Sequence, residues 1–183
     1  MQAPDLPEPG LLTLEDALVR DLRSDHAGEC GAVGIYRGVL AVSRDPAVRR
    51  FSLRHIRTEL RHRRFFDRWL PRRYHSRLLP LWRASGWILG ALPALFGARA
   101  VYTTVAAVER FVEAHYLAQI DALSERPDLA PLRARLQSFC DEEVEHRQDA
   151  SLRLHGTGGV FSRFWGNVVG LISSSGVYVA RRI

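Results

Sequence analysis

Leu14, Leu18 and Leu22, then Ile35, Val39 and Val42, recur at three- and four-residue intervals, the spacing that gathers side chains on one face of an α-helix. No stretch shows the strict alternation of a half-buried strand, so the pattern predicts an all-α chain. A first helix is expected from Thr13, which with Asp16 resembles a capping box, to about Ser43. Asp45-Pro46 supplies an N-cap and a first-turn proline for a second helix, which Pro71 ends after Leu70. A third polar-faced helix is expected over about Ala100–Ser124 and a fourth over about Leu129–His155, with Arg126-Pro127-Asp128 turning between them. The pattern thus predicts a four-helix bundle.

Two apolar stretches fall outside that bundle. Ala84–Ala98 carries no charge, contains Pro93 and is closed by Arg99. It is shorter than the ~20 apolar residues a transmembrane helix needs, and is expected as a long apolar crossover helix, buried or lying in a membrane interface. Val160–Ile183 is apolar or small and ends in Arg181-Arg182, an extra C-terminal helix that packs on the bundle or faces a membrane. Residues 1–12 are acidic and Pro-rich, unlike a signal or transit peptide, and are expected as a flexible lead-in to one helical domain over 13–183. Gly28, Gly31, Gly34 and Gly38 interrupt the first helix. Each costs about 1 kcal/mol relative to Ala, so close helix approach or room for a ligand is expected there.

At 183 residues the chain is long enough for a real core. Its net charge is +6, and all 26 basic residues are Arg. Arg and aromatic residues crowd together from Arg61 to Arg83. An anionic membrane surface, nucleic acid or plain solvated helix faces would each account for this. Cys30 and Cys140 have no metal-like spacing and point to a reduced setting rather than a disulfide.

The chemistry lies in a repeated motif. Glu59-Leu60-Arg61-His62 and Glu143-Val144-Glu145-His146 are both Glu-x-x-His, which on a helix turns one carboxylate and one imidazole to the same side. Either alone is as well explained by a polar helix face. Each, however, follows a lone glutamate on the preceding bundle helix, Glu29 and Glu109. One Glu from each of two helices and Glu-x-x-His from the other two is the ligand inventory of di-iron carboxylate bundles. Four buried carboxylates without cations would be strongly disfavoured, and carboxylate with imidazole suits iron or manganese. Glu29, Glu59, His62, Glu109, Glu143 and His146 are therefore the candidate ligands of two Fe ions, with Glu59 and Glu143 as bridges. The i, i+3 rule selects Glu143 over Glu142 and Glu145. Asp141 and Asp149 read equally well as partners of the ligand histidines or as solvated helix charges. His26, His55, His75, His115 and His155 stand alone and read as surface or satisfied core residues.

Asp25-His26-Ala27-Gly28-Glu29 resembles the first helix of the demethoxyubiquinone hydroxylase family. The resemblance runs on through Glu59-x-x-His62, Thr104 to Glu109, His115-Tyr116-x-x-Gln119-Ile120 and Asp141 to His146. Cys30 stands where that family usually has an aromatic, and Phe65–Leu79 is richer in Arg. The resemblance implies a ferritin-like four-helix bundle, a di-iron centre on the same six residues, and a supporting role for His115 and Tyr116. It also implies O2-dependent hydroxylation of a polyprenyl quinone precursor, with electrons from an external donor such as NADH. A peripheral membrane protein on the cytoplasmic face of a bacterial inner membrane is expected, within a ubiquinone-biosynthesis complex or beside a lipid-binding partner protein. No nucleic acid is expected. A ferritin-like hydroxylase acting on tRNA, and a non-catalytic iron-binding or scaffold protein, are the alternatives.

Overall fold

The structure is a computed structural model that describes residues 16–154 and 160–183. Six α-helices and no strand occur among the described residues: α1 Asp16–Val42, α2 Pro46–Trp69, α3 Leu79–Ala94, α4 Ala98–Ala122, α5 Ala130–Leu152 and α6 Val160–Ala180. Short 3-10 turns at Arg72–Tyr74 and Pro127–Leu129 lie between α2 and α3 and before α5. The predicted lead-in and the cap at Thr13 lie outside the described residues. The cap of α2 forms as the sequence implies: Asp45 Oδ1 accepts from the Ala47 and Val48 amides at 2.7 and 3.4 Å, and Pro46 fills the first turn.

α1, α2, α4 and α5 form the bundle, and its interior is layered. Leu22, Phe66, Tyr116, Ile120, Leu132, Leu136 and Phe139 make an apolar core at one end. Tyr36, Val39, Val48, Phe51, Val101, Tyr102, Val105 and Ala150 make another at the opposite end. On each helix the lone Glu or the Glu-x-x-His falls between its contributions to these two cores. The carboxylates are thus fixed in mid-bundle by apolar packing on both sides, which holds their rotamers and keeps water out.

The crossover departs from expectation. The uncharged run is not a helix of its own. α3 starts five residues earlier, takes in Arg83, and ends after 16 residues at Ala94. Pro93 removes a helical donor in its last turn, and Gly97, at φ 93°, redirects the chain into α4. No described helix is long and apolar enough to cross a membrane.

α3 packs along α1 at near backbone contact. A Cβ built on Gly38 would overlap the Trp87 carbonyl oxygen, and one on Gly90 the Ile35 carbonyl oxygen. The glycines of α1 thus have two separate roles, because a Cβ at Gly28, on the wall of the central cavity, would meet nothing. α6 lies against α4 and α1. The Trp165 indole donates to Thr104 Oγ1 at 2.8 Å, Arg181 pairs with Asp21 at 2.8 Å, and the Arg77 amide donates to the Ile183 carbonyl at 2.9 Å.

Candidate metal centre

All six predicted ligand residues are buried and meet at one place. Their donor atoms fall into two overlapping groups, Glu29, Glu59, His62 and Glu143 in one and Glu59, Glu109, Glu143 and His146 in the other, with atoms within 4.8 Å of one another in each. Glu59 and Glu143 belong to both. Two positions sharing two carboxylates, each with one imidazole and one further glutamate, is the arrangement of a bridged dinuclear site.

The donor atoms converge without satisfying each other. His62 Nδ1 is 2.9 Å from Glu143 Oε1 and 3.6 Å from Glu29 Oε2, while His146 Nδ1 is 3.0 Å from both Glu59 Oε1 and Glu143 Oε2. Yet none of these atoms has a hydrogen-bond partner of acceptable geometry, and all are sealed from water. Buried polar atoms are almost always partnered. A cluster of orphans aimed at common points, made only of carboxylate and imidazole, fits a pair of iron or manganese ions.

Without cations the cluster is electrostatically frustrated. Burial and the Glu143 charge push Glu59 up to about 8, and burial with the charges of Glu143 and Glu59 pushes Glu109 well above the carboxylate range. Burial also raises Glu29. Burial alone would lower the two histidines, but the carboxylates outweigh it and hold His62 well above its ordinary range and His146 at about 11. The same imidazoliums overcome burial at Glu143, which falls to about 2. Protons thus stand in for metal charge, so a metal ion must displace them. Since Glu59 is mostly protonated below about 8, metal affinity is expected to fall as pH drops through that value, with protons released on binding. Calorimetric titration in two buffers of different ionisation enthalpy checks this, and a pH-independent affinity without proton release would contradict it.

The surrounding residues set the orientation of the ligands. Tyr116 donates to Glu29 Oε1 at 2.6 Å and Tyr36 to Glu109 Oε1 at 3.2 Å, so each non-bridging glutamate is held by a buried phenol. His115 faces the cavity beside the centre, with Nε2 3.0 Å from Asp25 Oδ1 and 3.3 Å from Ser24 Oγ.

Glu142, which the i, i+3 rule sets aside, contacts a ligand through its ring. Its Oε2 is 2.6 Å from His62 Nε2, and Arg61 holds it at 3.0 Å. Glu142 thus keeps a proton on Nε2, so that Nδ1 is the nitrogen whose proton a metal ion would displace. Asp141 and Asp149 do not take that role: Asp141 accepts from Gln137, and Asp149 is bonded to His55 Nε2 at 2.7 Å. The available signal was that a ligand histidine needs a partner on its second nitrogen. The partner comes from α5 to α2, a pairing that spacing within one helix does not reveal. Glu142→Gln is expected to weaken metal binding about 10–100-fold, more at the His62 position than at the His146 position, with helicity unchanged. Metal titration monitored by bound equivalents reads this directly, and wild-type affinity in the variant would refute it.

A cavity of about 610 Å³ adjoins Glu29, Glu59, Glu109 and Glu143 and runs out between α1, α3, α4 and α6. Away from the carboxylates its wall is largely apolar, with Ile35, Leu81, Leu89, Val108, Phe111, Val112, Leu171 and Ile172.

The sequence that builds this site has relatives among known proteins. The family model described as ubiquinone biosynthesis protein COQ7 matches residues 16–180. The chain belongs to the COQ7 family. Among COQ7-family relatives, the 3-demethoxyubiquinol 3-hydroxylase of Rhodospirillum rubrum is 42% identical over 131 residues, covering 70% of this chain and 61% of that protein. The human NADPH-dependent 3-demethoxyubiquinone 3-hydroxylase, mitochondrial, is 36% identical over 134 residues, 71% of this chain and 62% of the human protein. The Saccharomyces cerevisiae 5-demethoxyubiquinone hydroxylase is 36% identical over 152 residues, 73% and 64%. The matches thus span about three-fifths of the curated relatives' length. The match covers every helix that contributes to the carboxylate cluster and to the cavity.

Proposed function

We propose that this chain is a di-iron, O2-dependent monooxygenase that hydroxylates the ring of a polyprenyl quinone precursor in ubiquinone biosynthesis. The observation that carries the proposal is the opening of a mostly apolar cavity directly onto a buried cluster of four carboxylates and two imidazoles. Bound iron would supply the redox chemistry that activates O2. One oxygen atom enters the ring as hydroxyl and the other leaves as water, with two electrons from an external donor such as NADH. Glu29, Glu59, His62, Glu109, Glu143 and His146 would hold the metal, and the phenols of Tyr36 and Tyr116 would keep the outer glutamates facing it. The apolar walls bind the prenylated ring and exclude water. His115, paired with Asp25 on the wall, sits where a ring oxygen would find a hydrogen-bond partner.

The outer surface supports delivery from a bilayer. Leu81, Trp87, Ile88, Leu92, Leu95 and Phe96 of the α3 region and Phe164, Leu171, Ile172 and Tyr178 of α6 are exposed large apolar residues on or next to two of the helices that wall the cavity. Arg72, Arg73, Arg77 and Arg83 lie exposed beside them and suit anionic headgroups. We place the protein peripherally on a membrane, on the cytoplasmic face of a bacterial inner membrane. An apolar cavity of this kind favours a prenylated ring over a tRNA substrate, whose polyanionic backbone needs an open basic groove. The test is quinone analysis of cells carrying the wild-type chain or Glu143→Ala. A demethoxy precursor accumulating only with the variant is the expected result, and unchanged quinones in both would overturn the assignment.

A further inference from the structure

A second group of metal-ligating side chains shares no residue with the carboxylate centre. His26 of α1, Asp67 of α2, and His75 just after the first 3-10 turn each bring one nitrogen or carboxylate oxygen within 4.8 Å of the other two. We propose that His26, Asp67 and His75 form a separate site for one transition-metal dication of the Zn2+ type, with solvent completing the coordination.

The geometry is that of an open three-ligand site. His26 Nε2 is 2.9 Å from Asp67 Oδ1, and the two imidazole rings lie 4.2 Å apart at 52°. Metal–ligand bonds of about 2.0–2.2 Å place such atoms roughly 3.3 Å apart in a tetrahedral shell, so small side-chain movements would close it. His75 is already set for ligation. Its Nε2 lies 2.8 Å from the Leu70 carbonyl oxygen, to which it must donate, and that leaves the Nδ1 lone pair free. A backbone carbonyl on the second ring nitrogen is the usual support of a metal-bound histidine.

Charge and access agree with this. His26 is fully buried, and burial holds it below its ordinary range, so the ring is neutral; its Nε2 proton, now donated to Asp67, is the one a metal ion would displace. The Asp67 side chain stays 40% exposed and His75 is half-buried, which gives an ion a route from solvent. Arg63 lies 3.4 Å from Asp67 Oδ2, the oxygen facing away from His26, and steadies the carboxylate without occupying Oδ1. Cys30 Sγ is 3.8 Å from His26 Nε2 but outside the mutually close group, and burial pushes its thiol up, which keeps it protonated. Two imidazoles and one carboxylate with open positions suit Zn2+, Co2+ and Ni2+, and Fe2+ as well. The two sites are told apart by which variants remove them and by the tetrahedral Co2+ bands of the three-ligand site.

Co2+ titration of the metal-stripped full chain, with bound ions counted after removal of free metal, tests the site. The wild type is expected to bind three ions, one of them giving the intense visible bands of tetrahedral Co2+. His75→Ala and Asp67→Asn, both away from the sealed core, are expected to bind two and lose those bands. Glu143→Ala is expected to keep them. Equal stoichiometry in wild type, His75→Ala and Asp67→Asn, with helicity intact by circular dichroism, would overturn the site and leave a hydrogen-bonded cluster. Because Glu143→Ala reports on the carboxylate centre alone, failure at one site is distinguishable from failure at the other.

Discussion

Replacing Glu143 by alanine is expected to empty the carboxylate centre of iron, from two ions per chain to well below one, while the bundle stays folded. Glu143 is the residue on which both halves depend. Its two oxygens each lie about 3 Å from a different histidine, Oε1 from His62 and Oε2 from His146. A variant lacking it loses a carboxylate that both donor groups share. The loss should exceed the ~10–100-fold that an outer-sphere partner costs. Glu109→Ala provides the contrast, because Glu109 belongs only to the His146 group. It is expected to lose one ion and keep the other. Folding should survive Glu109→Ala, which removes a carboxylate held at a cost. It should survive Glu143→Ala too, because His62 and His146, which lose a counter-charge there, can give up their protons and remain as neutral rings. Burial and neighbouring charge hold Glu109 well above its ordinary range, a sign that the empty bundle holds this group at a cost. Iron analysis of the purified variants decides. If Glu143→Ala retains two irons, Glu143 is not the bridge and the shared geometry of the two groups has another meaning.

Gly90→Ala is expected to separate metal binding from substrate binding. At Gly90 an added Cβ would meet the Ile35 carbonyl oxygen, backbone against backbone, with no flexible side chain to move aside. α3 must shift away from α1, at a cost of about 1–3 kcal/mol or more for overpacking. For a domain of this size a loss of that order lowers Tm by roughly 2–4 °C per kcal/mol. Gly86→Ala should act alike, through the Gly31 carbonyl. None of the six candidate ligands is on α3, so iron content should hold. The cavity wall is different, because α3 supplies Leu81, Trp82, Ser85, Gly86 and Leu89. The proposed quinone hydroxylation is therefore expected to fall further than metal content does. Unchanged Tm together with unchanged turnover would mean that α3 yields freely and does not define the cavity.

The six candidate ligands were legible because each is constrained locally. Glu-x-x-His needs only helical geometry to turn its two groups the same way, and its repetition, each time after a lone glutamate on the preceding helix, completes the set. The N-cap at Asp45 and the break at Pro71 were legible for the same reason: a cap and a missing donor act over one turn. The crossover was misjudged where a local rule was stretched. Absence of charge marks an environment, whereas helix ends are set by backbone hydrogen bonding, and these two boundaries differ at α3.

The sequence by itself therefore determined the helical class and which carboxylates and imidazoles gather in mid-bundle, since these follow from periodicity and residue type within single helices. Tertiary structure alone decided the rest. Glu142 joins His62 across two helices, the phenols of Tyr36 and Tyr116 come from helices other than those of the glutamates they hold, and His26, Asp67 and His75 meet although they are far apart in the chain. It also decided that Gly38 and Gly90 bring α1 and α3 together while Gly28 opens onto the cavity. Such contacts depend on how separate helices rotate and cross, and that is fixed only when all their apolar faces are buried at once.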